Sequence, residues 1–182
     1  MASGQIRFKM VRQSIAVLAM LAASLGAPSW AAAQDAASSP ADRARFVSIA
    51  RELEKAPLDP GLLDDRTWAL QWLTEAPDIT VRLCADPLGG MVVNDYSHAP
   101  EILIQYMFAM AVGIIEHPEI DDDKVAQQIV GVESALAAYR AILDQHPDAK
   151  WSSLDGVLER QVQGQLPTFV RQAYESCMAK TR

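Results

Sequence analysis

Between Ile102 and Ile115 a single residue, Gln105, is polar; the others include Tyr106, Met107, Phe108 and Met110. Pro100 and Glu101 open this run and Pro118 follows it, so it reads as one helix over residues 100–117. A helix apolar on every side has no face for water and must be surrounded. Fourteen such residues reach only about 21 Å as a helix, short of a bilayer's hydrocarbon core of about 30 Å. Other helices of the same chain must therefore wrap this segment. Gly113 inside it costs up to about 1 kcal/mol relative to alanine, which predicts close approach of another backbone.

The wrapping helices announce themselves by caps and periods. Ser39 offers an N-cap with Pro40 at the first helical position, and Phe46, Ile49, Ala50 and Leu53 follow on one face until Pro57. Asp59-Pro60 repeats the start signal for a helix carrying Trp68 and Trp72, four apart, up to Pro77. Asp121, Asp122 and Asp123 precede Val125, Ile129, Val132, Leu136, Tyr139 and Leu143, a heptad seam ending near His146-Pro147. Ser152 and Asp155 read as a weak cap for Leu154, Val157, Leu158 and Val162, broken by Gly164 and Pro167. The last helix carries Phe169, Val170, Ala173, Tyr174 and Cys177. Ile79 to Ala85 alternates like a strand but has no partner, so an extended segment or short helix is expected. Asp86 to Ser97, rich in turn formers, reads as a loop with one helical turn. The fold class is all-α: a compact bundle of five or six helices around the central one.

The beginning of the chain speaks to compartment. Arg7, Lys9 and Arg12 precede an apolar run from Ile15 to Leu25, then Gly26, Pro28 and the small residues Ala31 and Ala33. This is the pattern of a secretory signal cut after Ala33, placing the mature chain in the periplasm or outside the cell. The expected organisation is a signal over 1–33, a flexible stretch over 34–41 and one helical domain over 42–182. All 23 acidic residues follow residue 33 while three of the 16 basic ones precede it, leaving a mature net charge of −10. That charge weighs against nucleic acid and suits solubility or a basic partner. Two cysteines, Cys84 and Cys177, in an exported chain predict one disulfide. No further segment of the mature chain is expected to span a membrane.

Motifs for chemistry are scarce. His98, His117 and His146 each sit near a proline at an element boundary, where His117 and His146 suit the negative ends of helices. The histidine, cysteine and acidic spacings match no zinc, haem, di-iron or calcium pattern, so neither metal nor cofactor is expected. Glu116, at the end of the apolar helix, is the one acid whose burial could raise its pKa toward general-acid range, although a last-turn position favours exposure. Nucleophile elbows, phosphate loops and dinucleotide fingerprints are absent, and no catalytic residue is assigned.

Partner surfaces remain. The loop residues Met91, Val92, Val93 and Tyr96 combine apolar side chains with flexible neighbours, as a contact patch does; the competing reading folds that loop down over the central helix. The leading functional expectation is a non-enzymatic exported domain that binds another protein, in an immunity-like or chaperone-like role. In general character the chain is similar to small periplasmic helical proteins, a category that includes toxin-neutralising immunity proteins and acid-stress chaperones, with no motif behind the likeness. Trp68, Trp72, Tyr106 and the methionines support an alternative, a small-molecule site within the bundle; a hydrolase stands third.

Overall fold

Six α-helices, and no strand, make up the described part of the chain, which in this computed structural model comprises residues 38–90 and 96–180. They are α1 (Pro40–Lys55), α2 (Leu63–Glu75), α3 (Ala99–Glu116), α4 (Lys124–Gln145), α5 (Ser152–Val162) and α6 (Leu166–Lys180). The signal-like residues lie outside the described part. Ser39 caps α1 as its position implies, its hydroxyl accepting the Asp42 amide at 3.1 Å. Asp59 caps too, accepting from Gly61 at 2.8 Å, but the turn it starts is a short 3-10 turn, Pro60–Leu62, and α2 begins only at Leu63. Asp123 caps α4 through the Ala126 amide. Ser152 and Asp155 do not cap α5, which follows Trp151 without a side-chain cap.

The expected loose stretch over 34–41 is too long at its far end. The Ser38 amide donates to Asp78 Oδ2 at 3.0 Å, Arg43 pairs with the same carboxylate, and Pro40 is already helical. Burial works to raise the Asp78 pKa, but the hydrogen bonds from Ser38 and the nearby Arg43 outweigh it and hold the carboxyl below its ordinary 3.8. Residues 38–41 thus belong to the folded unit.

Helix α3 occupies the centre, joining two apolar clusters. One cluster, with α1 and α2, contains Phe46, Leu53, Ala69, Phe108 and Ile114; the other, with α4, α5 and α6, contains Ile102, Tyr106, Met110, Leu136, Tyr139, Leu154 and Val170. Enclosure is incomplete. Leu103, Ile104, Met107, Val112 and Ile115 keep partial exposure, and the helix is 56% buried over its most apolar window. At 18 residues, α3 is also long and apolar enough to cross a membrane by length and composition. What holds it inside the bundle is its contacts: Gln105 and Tyr106 are hydrogen-bonded across to other elements.

The second central element is α4, more deeply set than its seam implies. Val132, Leu136 and Tyr139 of the seam are fully buried, whereas Val125, Ile129 and Leu143 are only partly so. A second face, Gln127, Gly131, Ser134, Ala135 and Ala138, is buried as well. That face meets α1 and α3, and small or amide side chains let the helices come close. Gly131 marks the tightest point. A Cβ there would lie 2.6 and 2.8 Å from the Tyr106 ring and 2.9 Å from Met110. At Gly113, by contrast, the neighbours are the side chains of Ile120 (3.1 Å) and Val130 (3.4 Å), so the close backbone approach expected there is not found; the tighter contact is at Gly131, and it too is made by side chains.

Two outcomes follow. Gly131→Ala must push Tyr106 or Met110 aside, and urea unfolding should show a loss of about 1–3 kcal/mol. Gly113→Ala, relieved by a movable Ile120 and favoured by helix propensity of about 1 kcal/mol, should be near neutral. Separately, Asp78→Asn should cost about 1 kcal/mol near neutral pH. A carboxyl with a depressed folded pKa contributes above its unfolded value and loses that contribution on acidification. The gap between wild type and Asp78→Asn should therefore narrow as pH falls below 3.8; a pH-independent gap would remove the ion pair from the explanation.

Candidate functional site

Residues 76–85 run without regular structure from α2 to a 3-10 turn at Asp86–Leu88. No helical bonds satisfy this stretch, so its backbone groups must be met from outside. The Gln128 amide donates to the Arg82 carbonyl at 2.8 Å, and the Tyr106 hydroxyl reaches the Cys84 carbonyl at 3.1 Å as well as Gln128 Oε1. Burial raises the Tyr106 pKa, so its hydroxyl stays a donor. Cys84 is bonded to Cys177 on α6, with Cα atoms 6.4 Å apart, inside the usual range for a disulfide. Lys180 of α6 adds a 2.8 Å ion pair to Asp86. The sequence-based pairing of the cysteines is thus present, with Gln128 and Tyr106 as partners that the sequence did not reveal.

The loop beyond this turn departs from its expected use. Met91, Val92 and Val93 lie outside the described residues. Tyr96 is no part of a contact surface: it is 5% exposed and packs against Tyr139 and Trp151, with ring centroids at 6.2 and 5.6 Å. Its hydroxyl donates to the Ala149 carbonyl at 3.0 Å. Burial, with Glu101 and Asp155 nearby, pushes its pKa up to about 12. Tyr139 in turn accepts the Trp151 amide at 2.7 Å and donates to Asp155 at 2.8 Å. The aromatic ring therefore turned inward because the loop before α5 offered both a ring and a carbonyl.

The other singled-out side chains are dispersed. His98, at the start of α3, stacks on His146, at the end of α4, with centroids 5.9 Å apart; His117 lies beside Glu119 at 3.3 Å. Among the described residues, the one grouping of three metal-type ligand atoms within 4.8 Å is Cys84, Asp86 and Cys177, and both sulfurs there are committed to the disulfide. Glu116 is exposed and paired with Arg51. Trp68 and Trp72 do stack, at 6.1 Å, but Arg45 already covers Trp68 at 3.9 Å and Phe46 sits 4.7 Å from Trp72. Their faces are occupied by α1.

Two of the concavities lie where α1 meets α3. An open groove of about 640 Å³ runs along α1 to the end of α3, with Arg43, Val47, Arg51, Lys55, Ile115 and Glu116 among its walls. Its arginines already hold Asp78 and Glu116. A smaller recess of about 160 Å³ lies where α1, α3 and α4 meet, lined by Ala50, Arg51, Glu54, Gln105, Ala109, Val112, Val130 and Ser134. There the Gln105 amide donates to the Ala50 carbonyl at 3.1 Å and to Ser134 Oγ at 2.8 Å, and Ser134 donates to Glu54. Gln105 Oε1 is buried and meets no donor, a deficit that ordinarily costs about 1–3 kcal/mol. The sequence marks Gln105 as the one polar residue of its run but assigns it no role, because a lone amide in an apolar run carries no motif.

Reduction tests the staple. The bridge spans 93 residues, for which the chain-entropy model gives about 4–5 kcal/mol, with measured values commonly about 2–5. Dithiothreitol, or the double substitution Cys84→Ser/Cys177→Ser, should lower the melting temperature; an unchanged value would mean the bond contributes nothing to the native state.

Comparison with known proteins returns no matching family model, no matching curated protein and no matching solved structure.

Proposed function

We propose that this chain is an exported, non-enzymatic helical domain that acts by binding another protein, one with a basic surface. The observation that carries the reading is the turn between α3 and α4. Glu116, Glu119, Asp121, Asp122 and Asp123 fall within eight residues and all are exposed. The turn is held in one shape: a 3-10 turn over Pro118–Ile120, with the fully buried Gln127 donating to the carbonyls of Ile120 at 2.9 Å and Asp121 at 2.7 Å. A preformed acidic ridge steers a cationic partner and loses little freedom on docking.

The export-signal pattern and the mature charge of −10 support the same reading. The aromatic signal for a small-molecule site is weaker, since Trp68, Trp72 and Tyr106 are engaged in packing and hydrogen bonds within the chain.

The test is capture from a periplasmic extract on immobilised protein. A partner should be retained at about 0.01 M ionic strength, where charges act over about 30 Å, and released near 1 M, where they act over about 3 Å. The triple variant Glu119→Gln/Asp121→Asn/Asp122→Asn, which spares the Asp123 cap and the Glu116–Arg51 pair, should lose it. Capture of no protein, or retention indifferent to both salt and the triple variant, would overturn the reading.

A further inference from the structure

We propose that the dithiol form of this protein holds a zinc ion between Cys84, Asp86 and Cys177, so that metal and disulfide exclude one another. These three residues bring their ligand atoms within 4.8 Å of one another. The two cysteines are 93 positions apart, so no spacing pattern in the sequence announces the site. It shares no residue with the acidic turn, and the proposal stands whether or not a protein partner docks there.

The fold gathers these donors by contacts that use no sulfur. The Cys84 carbonyl accepts the Tyr106 hydroxyl at 3.1 Å, and the Arg82 carbonyl accepts the Gln128 amide at 2.8 Å. Asp86 opens the 3-10 turn whose Pro87 and Leu88 are buried, and Cys177 shares α6 with the buried Val170 and Tyr174. Lys180 of α6 reaches Asp86 at 2.8 Å. Opening the S–S bond therefore leaves both cysteines and the carboxylate in one place. A dithiol reductant opens it: its thiolate attacks the sulfur of Cys177, which is partly exposed where Cys84 is buried, and Cys84 leaves as a thiolate. The second thiol of the reductant then displaces Cys177. Two electrons and two protons pass to the protein sulfurs, and the reductant departs as a cyclic disulfide. Zinc binding returns both protons to water.

Two thiolates and one carboxylate select zinc over calcium or magnesium, which require shells of oxygen. Zinc–sulfur bonds of about 2.3 Å set the sulfurs of a tetrahedral site about 3.8 Å apart. Cysteines with Cα atoms 6.4 Å apart reach that separation by side-chain rotation. Asp86 keeps Lys180 on Oδ2 and has a second oxygen to offer the metal. The charges balance as well: three anionic ligands exceed the zinc charge by one, and the Lys180 ammonium offsets the remainder. The Asp86 side chain is 31% exposed, which leaves the fourth position to a water molecule.

Cobalt and zinc titration of the intact protein, before and after reduction with a phosphine, tests it. Co2+ added to the reduced protein should saturate at one equivalent, with a sulfur-to-cobalt charge-transfer band and the strong visible bands of a tetrahedral site. Zn2+ should displace it with a Kd at or below about 1 µM. The oxidised protein and the double variant Cys84→Ser/Cys177→Ser should give no such band. Asp86→Asn should weaken zinc at least about tenfold. Zinc should also raise the melting temperature of the reduced wild type and leave the oxidised protein and the double variant unchanged, which separates a site in the fold from capture by unfolded thiols. The proposal is overturned by a missing charge-transfer band, by equal binding before and after reduction, by an unaltered Kd in Asp86→Asn, or by a reduced protein that zinc does not stabilise. None of these outcomes bears on the acidic turn, so the two readings fail separately.

Discussion

The contact of Gly131 against the ring of Tyr106 is the point from which the rest of this bundle can be built. Because residue 131 has no side chain, α3 and α4 come close enough for the Tyr106 ring to lie where a Cβ would stand. Only from that position does the Tyr106 hydroxyl reach Gln128 on α4 and the Cys84 carbonyl beyond it. The unwound segment after α2 is then fixed to the central pair by hydrogen bonds and to α6 by the disulfide. Neighbouring helices and the chain crossing share one anchor, so a small change at residue 131 should be felt far along the sequence.

Much of the architecture was legible because its signals are local. Ser39-Pro40, Asp123 and Gly164 act on the residues next to them, and each start or stop falls where steric and capping rules place it. The central helix was legible from composition alone. Three features were not. The second buried face of α4 is written in Gln127, Gly131 and Ser134, residue types that in a single sequence read as a solvent face. The inward turn of Tyr96 depends on Ala149 and Trp151, some fifty residues on. The expected close approach was assigned to Gly113 because that glycine lies in the apolar run, but what makes a glycine necessary is the partner opposite it, here Tyr106.

Polar groups are sorted with some consistency between inside and outside. The interior hydrogen bonds between elements run largely through neutral amides and hydroxyls: Gln105, Gln127, Gln128, Ser134 and Tyr106. Neutral groups lose less on leaving water than charges do, so they can join helices at modest cost. Most carboxylates stay toward the surface, several of them gathered at the turn between α3 and α4, while Asp78 and Glu101 each keep one oxygen buried. This division keeps most charge out of the contacts between helices and leaves much of the exterior free to take a charge pattern set by something else.

Gln105 shows what that order costs. A buried amide whose hydrogen bonds are all made links helices; one left with an open acceptor in an otherwise apolar helix is less favourable than leucine would be. Gln127 likewise leaves an oxygen unmet while both its amide hydrogens brace the acidic turn. The oxygen of Gln105 is closed off from solvent, although its side chain borders a recess lined by Arg51, Glu54 and Ser134 and by the apolar Ala50, Ala109, Val112 and Val130. At Gln105 the two amide hydrogens join α3 to α1 and to α4, through the Ala50 carbonyl and Ser134 Oγ, and the oxygen left without a donor is the cost of that double link.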